Sequence, residues 1–364
     1  MAPTTPELSL ESVTKRFGGT LAVDRLSLAL GKGEFLSLLG PSGCGKTSSL
    51  RMIAGFVLPD EGRILLRGRD VTETPPYRRD VGLLFQSYAL FPHMSVFDNV
   101  AFGPKMRRES KARIRERVRW ALDLVRLPGF DERRPHELSG GQQQRVAVAR
   151  VLAAGASVLL LDEPFSNLDA KLRKAMQDDL RELQQRLGIA TIHVTHDQEE
   201  AMSLSDRVII MNAGRIEQEG TPEAVYRAPG SAFVAKFMGR CNRLSGRIVT
   251  EDEGEGMAAL ELDGIGRLIM PWSGPLPAKA TVFVRPEHIA AAAAGGFPDR
   301  PNVIAGEVKR RVFLGSLCSL HVALADGREL VLQEQSPAEG PPDHPVGTRV
   351  DLHIPPACLK PLPD

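Results

Sequence analysis

Short apolar runs alternate with helical patterns along the first two-thirds of the chain. The clearest runs, at residues 34–39, 158–161 and 191–195, are rich in leucine or β-branched residues and have the length of buried strands. Strands that alternate with helices are typical of an α/β domain built on a largely parallel sheet. The pattern therefore predicts such a domain in this part of the chain.

A charged segment interrupts this alternation between the first two strands. Residues 105–125 place lysine, arginine and glutamate on one side of a helical repeat. The other side of the repeat carries Ile114, Val118, Leu122 and Val125. We interpret the segment as part of an inserted helical subdomain at about residues 88–155.

The first domain is predicted to close with a hairpin and a helix. Residues 207–211 and 215–218 flank an Asn-Ala-Gly turn, which suits a hairpin. Thr221 precedes a proline and a glutamate, the residue types favoured at the cap and first turn of a helix. We expect this domain to span residues 1–236.

The pattern changes to short strands separated by turns from about residue 242. Examples lie at residues 281–284, 303–308, 319–322 and 329–332. Residues 237–364 are therefore predicted to form a small all-β domain, shaped as an OB-like barrel.

Composition restricts the function classes. The chain has 364 residues, with 46 lysines and arginines against 45 acidic residues, so it has no broad basic field to attract nucleic acid. Its four cysteines show no paired spacing, which favours a reducing compartment over a disulfide framework or a zinc site. The first ten residues lack a signal-peptide pattern, and no segment approaches the ~18 apolar residues of a spanning helix. If the protein acts at a membrane, other chains are expected to cross it.

A glycine-rich motif directly follows the strand at residues 34–39. It fits the phosphate-binding pattern GxxxxGK[ST] and precedes a helical stretch. Its backbone N–H groups are expected to surround phosphates, while Lys46 reaches the β- and γ-phosphates and Thr47 holds Mg²⁺. The alternative is a glycine-rich turn that matches by chance. The predicted ATP contacts are Gly40, Pro41, Ser42, Gly43, Cys44, Gly45, Lys46, Thr47 and Ser48.

Cys44 lies between Gly43 and Gly45 inside this motif. We expect alkylation of its thiol to block phosphate entry, and ATP to protect it.

Two carboxylates, Asp162 and Glu163, end the apolar strand at residues 158–161. Acids at the end of a buried strand need a cation or a complete hydrogen-bond network, because unpaired buried charge is costly. Together with the glycine-rich motif, they predict a Mg²⁺ ligand in Asp162 and a residue that polarises the attacking water in Glu163. Capping of the next turn is the simpler alternative for Glu163.

A second candidate phosphate-binding surface stands between these motifs. Ser139 suits the cap of a helix, and Gly140 and Gly141 would leave N–H groups exposed at its positive end. Gln142 completes the run Leu-Ser-Gly-Gly-Gln. One ATP site does not need both surfaces.

The order of these motifs resembles the nucleotide-binding domain of ABC ATPases. The resemblance includes the glycine-rich motif, Leu-Ser-Gly-Gly-Gln, the two carboxylates, the run Ser-Asn-Leu-Asp ending at Asp169, and His196. In that family the Ser-Gly-Gly end of one subunit completes the ATP site of a second copy. The resemblance therefore implies a homodimer that binds ATP and Mg²⁺.

Further site residues follow from the resemblance alone. Gln86 matches the family's switch glutamine, which contacts Mg²⁺ or water, and His196 matches the γ-phosphate-sensing histidine. Phe17 resembles the aromatic residue that stacks on adenine, and Asp169 is placed with the ATP contacts. Without the order of the surrounding motifs, each residue fits a structural role equally well: Gln86 as a polar loop residue, His196 as a strand-end cap and Phe17 as a small-core aromatic.

Residues 88–94, Tyr-Ala-Leu-Phe-Pro-His-Met, follow Gln86 at the entry to the helical insertion. Apolar anchors with methionine suit a groove for a short helix of a membrane-spanning partner. The alternative is that they form the core of the subdomain. A similar run is common in importers of the same family.

The C-terminal region resembles the TOBE-like regulatory domain of importer ATPases for polyamines, ferric iron, sulfate, phosphonates and some sugars. The resemblance rests on residues 284–288 and 312–316, with a turn at residues 325–327. His288 has no second candidate ligand beside it, so a surface histidine is preferred to a metal ligand.

These features predict an ATP-hydrolysing subunit at the cytoplasmic face of the cell membrane, working with permease subunits and, through them, a solute-binding protein. A polyamine such as putrescine or spermidine is the preferred solute, and ferric iron or a phosphonate are the alternatives. A soluble ABC ATPase acting on nucleic acid is the competing class. The usual long coiled-coil insertion or second nucleotide domain of that class is absent from the sequence.

Overall fold

A computed structural model describes residues 5–249, 256–273, 275, 277–336 and 344–362. The chain divides into two compact units, Met1–Val225 and Tyr226–Asp364. The boundary predicted at residues 236/237 lies further along the chain and stays a prediction.

The first unit contains a six-stranded sheet that is parallel except at one edge. Its strand order is β10-β9-β3-β8-β7-β6, in which β3 pairs in parallel with both β8 and β9. The predicted α/β class is confirmed. The strands are β3 (Phe35–Leu39), β6 (Val81–Leu84), β7 (Val158–Asp162), β8 (Ala190–Thr195), β9 (Arg207–Asn212) and β10 (Arg215–Gly220).

A smaller antiparallel sheet, of order β2-β1-β4-β5, lies in the same unit. Its apolar side shares a core with one face of the parallel sheet. The strands are β1 (Leu8–Phe17), β2 (Thr20–Leu30), β4 (Glu61–Leu66) and β5 (Arg69–Asp70).

The predicted helix at residues 105–125 is two helices in the structure. α2 ends at Met106, Arg108 has a positive φ of 56°, and Ser110 then caps α3 by accepting from the N–H of Arg113 at 3.4 Å. None of the helices in the described residues is long and apolar enough to cross a membrane. The helices are α1 (Lys46–Ala54), α2 (Val96–Met106), α3 (Lys111–Leu124), α4 (Gly140–Ala153), α5 (Ala170–Leu187), α6 (Gln198–Leu204), α7 (Pro222–Arg227) and α8 (Ala232–Phe237).

The second unit is built from two five-stranded antiparallel sheets with one apolar core, as expected for an OB-like barrel. The orders are β13-β12-β11-β14-β20 and β15-β19-β16-β17-β18. The strands are β11 (Asn242–Val249), β12 (Met257–Leu262), β13 (Gly266–Pro271), β14 (Lys279–Val284), β15 (Ala290–Ala293), β16 (Val303–Phe313), β17 (Leu317–Leu324), β18 (Glu329–Gln335), β19 (Arg349–His353) and β20 (Lys360–Pro361).

Candidate ATP site

Four groups of predicted site residues follow four neighbouring strands of the parallel sheet. The glycine-rich loop follows β3, His196 follows β8, Glu163 follows β7, and Gln86 lies just beyond β6. The carboxyl ends of parallel strands meet at one edge, where such folds bind ligands. The sheet order therefore brings together motifs that are far apart in sequence.

The loop after β3 needs glycine for two physical reasons. Gly43 and Gly45 have φ values of 79° and 104°, in the region that L-residues avoid. A Cβ on Gly45 would also lie 2.4 Å from the carbonyl oxygen of Ala22. Gly45 caps α1 without a side-chain hydrogen bond. The first-turn N–H groups of α1 are therefore available to an anion.

Lys46 is the charged side chain of this loop and is only 6 % exposed. Its ammonium donates to the carbonyls of Gly40 at 2.6 Å and Pro41 at 2.9 Å. These contacts place a positive charge inside the loop.

The Cys44 side chain is less exposed than a reactive thiol is expected to be. The side chain is 3 % exposed and belongs to the apolar core between the sheets, with its sulfur 3.7 Å from the Lys46 ammonium. A buried thiol reacts slowly with alkylating agents. This burial argues against ready alkylation of the folded chain, and both the alkylation and the contact of Cys44 with ATP stay predictions.

Thr47 and Asp162 meet at the edge of the sheet. The Thr47 hydroxyl donates to Asp162 Oδ1 at 3.3 Å, and burial raises the pKa of the Asp162 carboxyl. Mg²⁺ binds hard oxygen ligands, often one or two carboxylates together with substrate phosphates. The Thr47 hydroxyl and the Asp162 carboxylate fit such an ion. The described residues contain no cluster of three or more His, Cys, Asp or Glu that would bind a metal without the phosphates.

Glu163 and His196 form a second pair next to the first. His196 Nδ1 lies 3.1 Å from Glu163 Oε1, and both side chains reach solvent. Glu163 has a positive φ of 46° and donates its N–H to the carbonyl of Val194 at 3.0 Å. The unusual backbone conformation turns the chain sharply at the end of β7, where a carboxylate can act on a solvent molecule.

Gln86 lies in an exposed loop that is hydrogen-bonded to the segment after Glu163. The Asn167 side chain donates to the Gln86 carbonyl at 3.0 Å. The loop carrying Gln86 is thus attached to the segment between the two carboxylates and α5.

The Ser-Gly-Gly-Gln motif begins α4, as predicted. Ser139 and Gln142 form a capping box: the Gln142 N–H donates to Ser139 Oγ at 3.4 Å, and the Ser139 N–H donates to Gln142 Oε1 at 3.0 Å. Gly140 is exposed, whereas Gly141 packs against Leu172 of α5. The capping bonds therefore join Ser139 and Gln142 to each other rather than to the loop after β3.

Phe17 and Asp169 occupy positions that differ in exposure and contacts. Phe17 is 47 % exposed at the end of β1, with the Lys15 ammonium 5.5 Å from its ring centre. Its face can accept a flat ring. Asp169 caps α5 by accepting from the Leu172 N–H at 2.9 Å. Its contact with ATP stays a prediction.

Residues 88–94 can be interpreted either as a groove for a partner helix or as part of the subdomain core, and different residues of the segment fit each interpretation. Tyr88 is buried in the core of the helical subdomain, while Ala89, Pro92 and His93 are exposed. The core interpretation is right for Tyr88, and docking of a partner helix on the exposed part stays a prediction.

Sequence reasoning missed three supports of the site, of which Arg79 and His193 are buried and Arg150 is half-buried. Arg79 donates to the carbonyls of Met52 and Ile53 at the end of α1, and Arg150 donates to carbonyls in the loop after Gln86. His193 lies 3.1 Å from Ser37 Oγ beneath β3, and burial lowers its pKa to about 3. Single arginines and a strand histidine carry no motif, so only their contacts reveal them.

The two units match separate family models. Residues 23–166 match the ABC transporter family, and residues 282–359 match the TOBE domain. A dimeric, post-hydrolysis structure of the ATP-binding cassette MJ0796, bound to ADP and Pi, is 31% identical; the match covers 59% of this chain and 98% of that one, with a TM-score of 0.52.

Relatives match both units. The spermidine/putrescine import ATP-binding protein PotA of Acidothermus cellulolyticus is 48% identical, over 91% of this chain and 88% of the relative. The sulfate/thiosulfate import ATP-binding protein CysA 2 of Chromobacterium violaceum is 53% identical, over 78% and 75%. The Fe(3+) ions import ATP-binding protein FbpC of Agrobacterium fabrum is 46% identical, over 89% and 90%. Because this similarity extends over most of the chain, the chain belongs to the ABC transporter ATPases, in the group of import ATP-binding proteins with a C-terminal TOBE domain.

Proposed function

We propose that two copies of this chain bind two ATP molecules between them and drive uptake of a polyamine through membrane permease subunits. The observation that carries the ATP part is the meeting of the loop after β3, the Thr47–Asp162 pair and the Glu163–His196 pair at one sheet edge. The polyamine assignment rests on relatives named for spermidine and putrescine, whose similarity spans both units. Ferric iron is the alternative, and a phosphonate is a further alternative by resemblance.

In this proposal, phosphate oxygens bind at the start of α1. The free N–H groups of its first turn and the Lys46 ammonium provide positive charge on a rigid frame. Thr47 and Asp162 would hold Mg²⁺, which neutralises charge on the phosphates when bound. Phe17 would stack on adenine, because its exposed face offers aromatic contact.

Glu163 has the role of orienting water. Its proposed contribution lies in positioning the nucleophile and stabilising developing charge. His196, 3.1 Å from that carboxylate, would hold it in place and contact the γ-phosphate. Gln86 would report the state of the same site to the permease.

The proposed dimer is supported by the presence of a second candidate phosphate-binding helix start in the same chain. Ser139 and Gly140 lie at the start of α4, with the capping box of Ser139 and Gln142, and would meet the ATP of the second copy. The assembly would work at the cytoplasmic face of the membrane, and a solute-binding protein would deliver the polyamine to the permease.

Glu163→Gln tests the separation of binding from chemistry. The change keeps the shape and removes the charge, so ATP binding should persist while hydrolysis falls by about 10²–10⁴-fold. Size-exclusion chromatography with ATP should then show a dimer, because the closed state accumulates. Glu199→Gln removes an exposed carboxylate from α6 and should hydrolyse ATP at the wild-type rate.

The second arm adds Ser139→Arg to Glu163→Gln. A long side chain at the start of α4 should abolish the dimer without removing ATP from the monomer. Wild-type hydrolysis by Glu163→Gln would refute the catalytic assignment, and an intact dimer with Ser139→Arg would refute the shared site.

The solute is tested in the assembled transporter in membranes. Binding protein loaded with putrescine should stimulate ATP hydrolysis, whereas binding protein loaded with ferric iron, sulfate or a phosphonate should not. Stimulation by one of those solutes instead would replace the polyamine assignment. Salt-sensitive retention on nucleic acid without permease subunits would favour the soluble class.

A further inference from the structure

Arg150 joins two parts of the candidate site that the proposed function treats separately. It lies near the end of α4, the helix that begins at the Ser139 cap, about 16 Å further along the axis at 1.5 Å per residue. Its guanidinium donates to the carbonyls of Tyr88 at 2.9 Å and Ala89 at 2.7 Å. These two residues belong to the loop that carries Gln86.

The loop after Gln86 has a backbone conformation that is uncommon for L-residues. Tyr88 and Ala89 have successive φ values of 60° and 47°. Only glycine adopts this region freely, so the surrounding contacts must hold two such residues in sequence. The planar, forked guanidinium satisfies both carbonyls at once.

The surroundings of Arg150 strengthen this contact. Its charge lies 5.7 Å from the ring centre of Phe91, and burial lowers its pKa. A partly desolvated guanidinium forms stronger hydrogen bonds than one in water. Asn167 donates to the Gln86 carbonyl of the same loop. The loop that carries Gln86 is therefore held by Arg150 of α4 and by the segment that follows Glu163.

We propose that Arg150 is a positioning residue that makes the start of α4 and the Gln86 loop move as one body. Contact of Ser139 with ATP at one site would then set the position of Gln86 at the other site of the dimer. This inference rests on the roles proposed above for Ser139 and Gln86. It predicts that Arg150 affects the rate of ATP hydrolysis and not the affinity for ATP.

Arg150→Lys keeps the charge and loses the fork. We expect kcat to fall about tenfold while KM for ATP stays within about twofold, because a misplaced group costs transition-state stabilisation. Arg145→Lys is the matched control: Arg145 lies on the same helix, but it pairs with the Asp179 carboxylate at 2.5 Å. Its kcat should equal that of the wild type.

Ala89→Gly provides the rescue. Glycine adopts the positive φ of residue 89 without strain, so the double variant with Arg150→Lys should recover most of kcat. Arg108→Gly relieves another positive φ, of 56°, in the loop between α2 and α3, and should restore nothing. Thermal unfolding of each variant checks that the fold is retained.

Three results would overturn the inference: an unchanged kcat in Arg150→Lys, a rise in KM alone, or equal rescue by the two glycine variants. Glu163→Gln assayed in parallel separates the two proposals. If Glu163→Gln hydrolyses ATP normally, the proposed function fails; if it is inactive and Arg150→Lys is not slowed, only the role of Arg150 fails.

Discussion

The starts of α1 and α4 are both glycine-rich helix ends, but they satisfy their N–H groups differently. Gly45 caps α1 without a side-chain hydrogen bond, and its positive φ requires glycine. At α4, Ser139 and Gln142 cap each other, and Gly140 has ordinary helical backbone. The difference supports the proposal that α1 holds phosphate within one chain, whereas the capped start of α4 would meet the ATP of a second copy.

The largest expected difference comes from adding a methyl group at each helix start. Gly45→Ala combines a strained φ with a 2.4 Å contact to the Ala22 carbonyl. Each costs roughly 1–3 kcal/mol, so ATP affinity should fall by about 100-fold or more. Calorimetric titration with ATP measures this.

Gly140→Ala is the matched variant at α4. Its Cβ would lie 3.6 Å from Leu168 Cδ2, an ordinary contact, so ATP affinity of the monomer should stay within about twofold of wild type. Equal losses in both variants would contradict the comparison. Circular dichroism confirms that both chains fold.

We expect a fall in pH to destabilise the strands that support α1 more than the segment that supports α4. β8 carries His193, which contacts Ser37 on the strand that leads to α1 and lies 3.7 Å from Glu200. Burial lowers the pKa of His193 to about 3 from 6.5 and raises that of Glu200. The histidine contribution is present above pH 6.5 and is lost as the pH falls, because only the unfolded chain binds the proton.

At pH 5 the contribution of His193 alone should remove about 2 kcal/mol of the free energy of unfolding relative to pH 7, while the raised pKa of Glu200 acts in the opposite direction. Denaturant unfolding of His193→Asn should show a smaller loss between these pH values than the wild type. His136→Asn, which removes an exposed histidine, should keep the wild-type loss. Parallel pH curves for all three chains would refute this role of His193.

The smallest expected effect is loss of the α4 cap. Ser139→Ala removes the side-chain acceptor and should lower the free energy of unfolding by about 1 kcal/mol while monomer ATP affinity is unchanged. Ser42→Ala changes an exposed serine of the loop before α1 and should alter stability by less than about 0.5 kcal/mol. A drop in monomer ATP affinity with Ser139→Ala would show that α4 contributes to its own chain's site.

The candidate ATP motifs could be predicted from the sequence because each combines residue type with local context. Gly43, Gly45 and Lys46 follow an apolar strand, and Ser139 precedes two glycines and a glutamine, so local backbone chemistry indicates a phosphate-binding turn and a capped helix. The all-β second unit was also predictable from short strands separated by turns. These features depend on neighbours within a few positions.

Other features required the assembled fold. The break between α2 and α3 was missed because the helical repeat continues in sequence across Arg108, whose backbone is left-handed. The burial of Cys44, which argues against the predicted reactive thiol, was not visible in the sequence because the covering residues come from distant segments. Arg79 and Arg150 were missed because the carbonyls that they bind lie on other segments of the chain.

The sequence by itself determined the fold class of both units and marked the candidate phosphate-binding motifs, since propensity, capping and glycine freedom act locally. Only the tertiary structure decided that β3, β8, β7 and β6 are neighbours, and thereby that Lys46, Thr47, Asp162, Glu163, His196 and Gln86 share one edge. Strand order depends on which apolar faces pack together across long separations in sequence, and no local pattern encodes that choice.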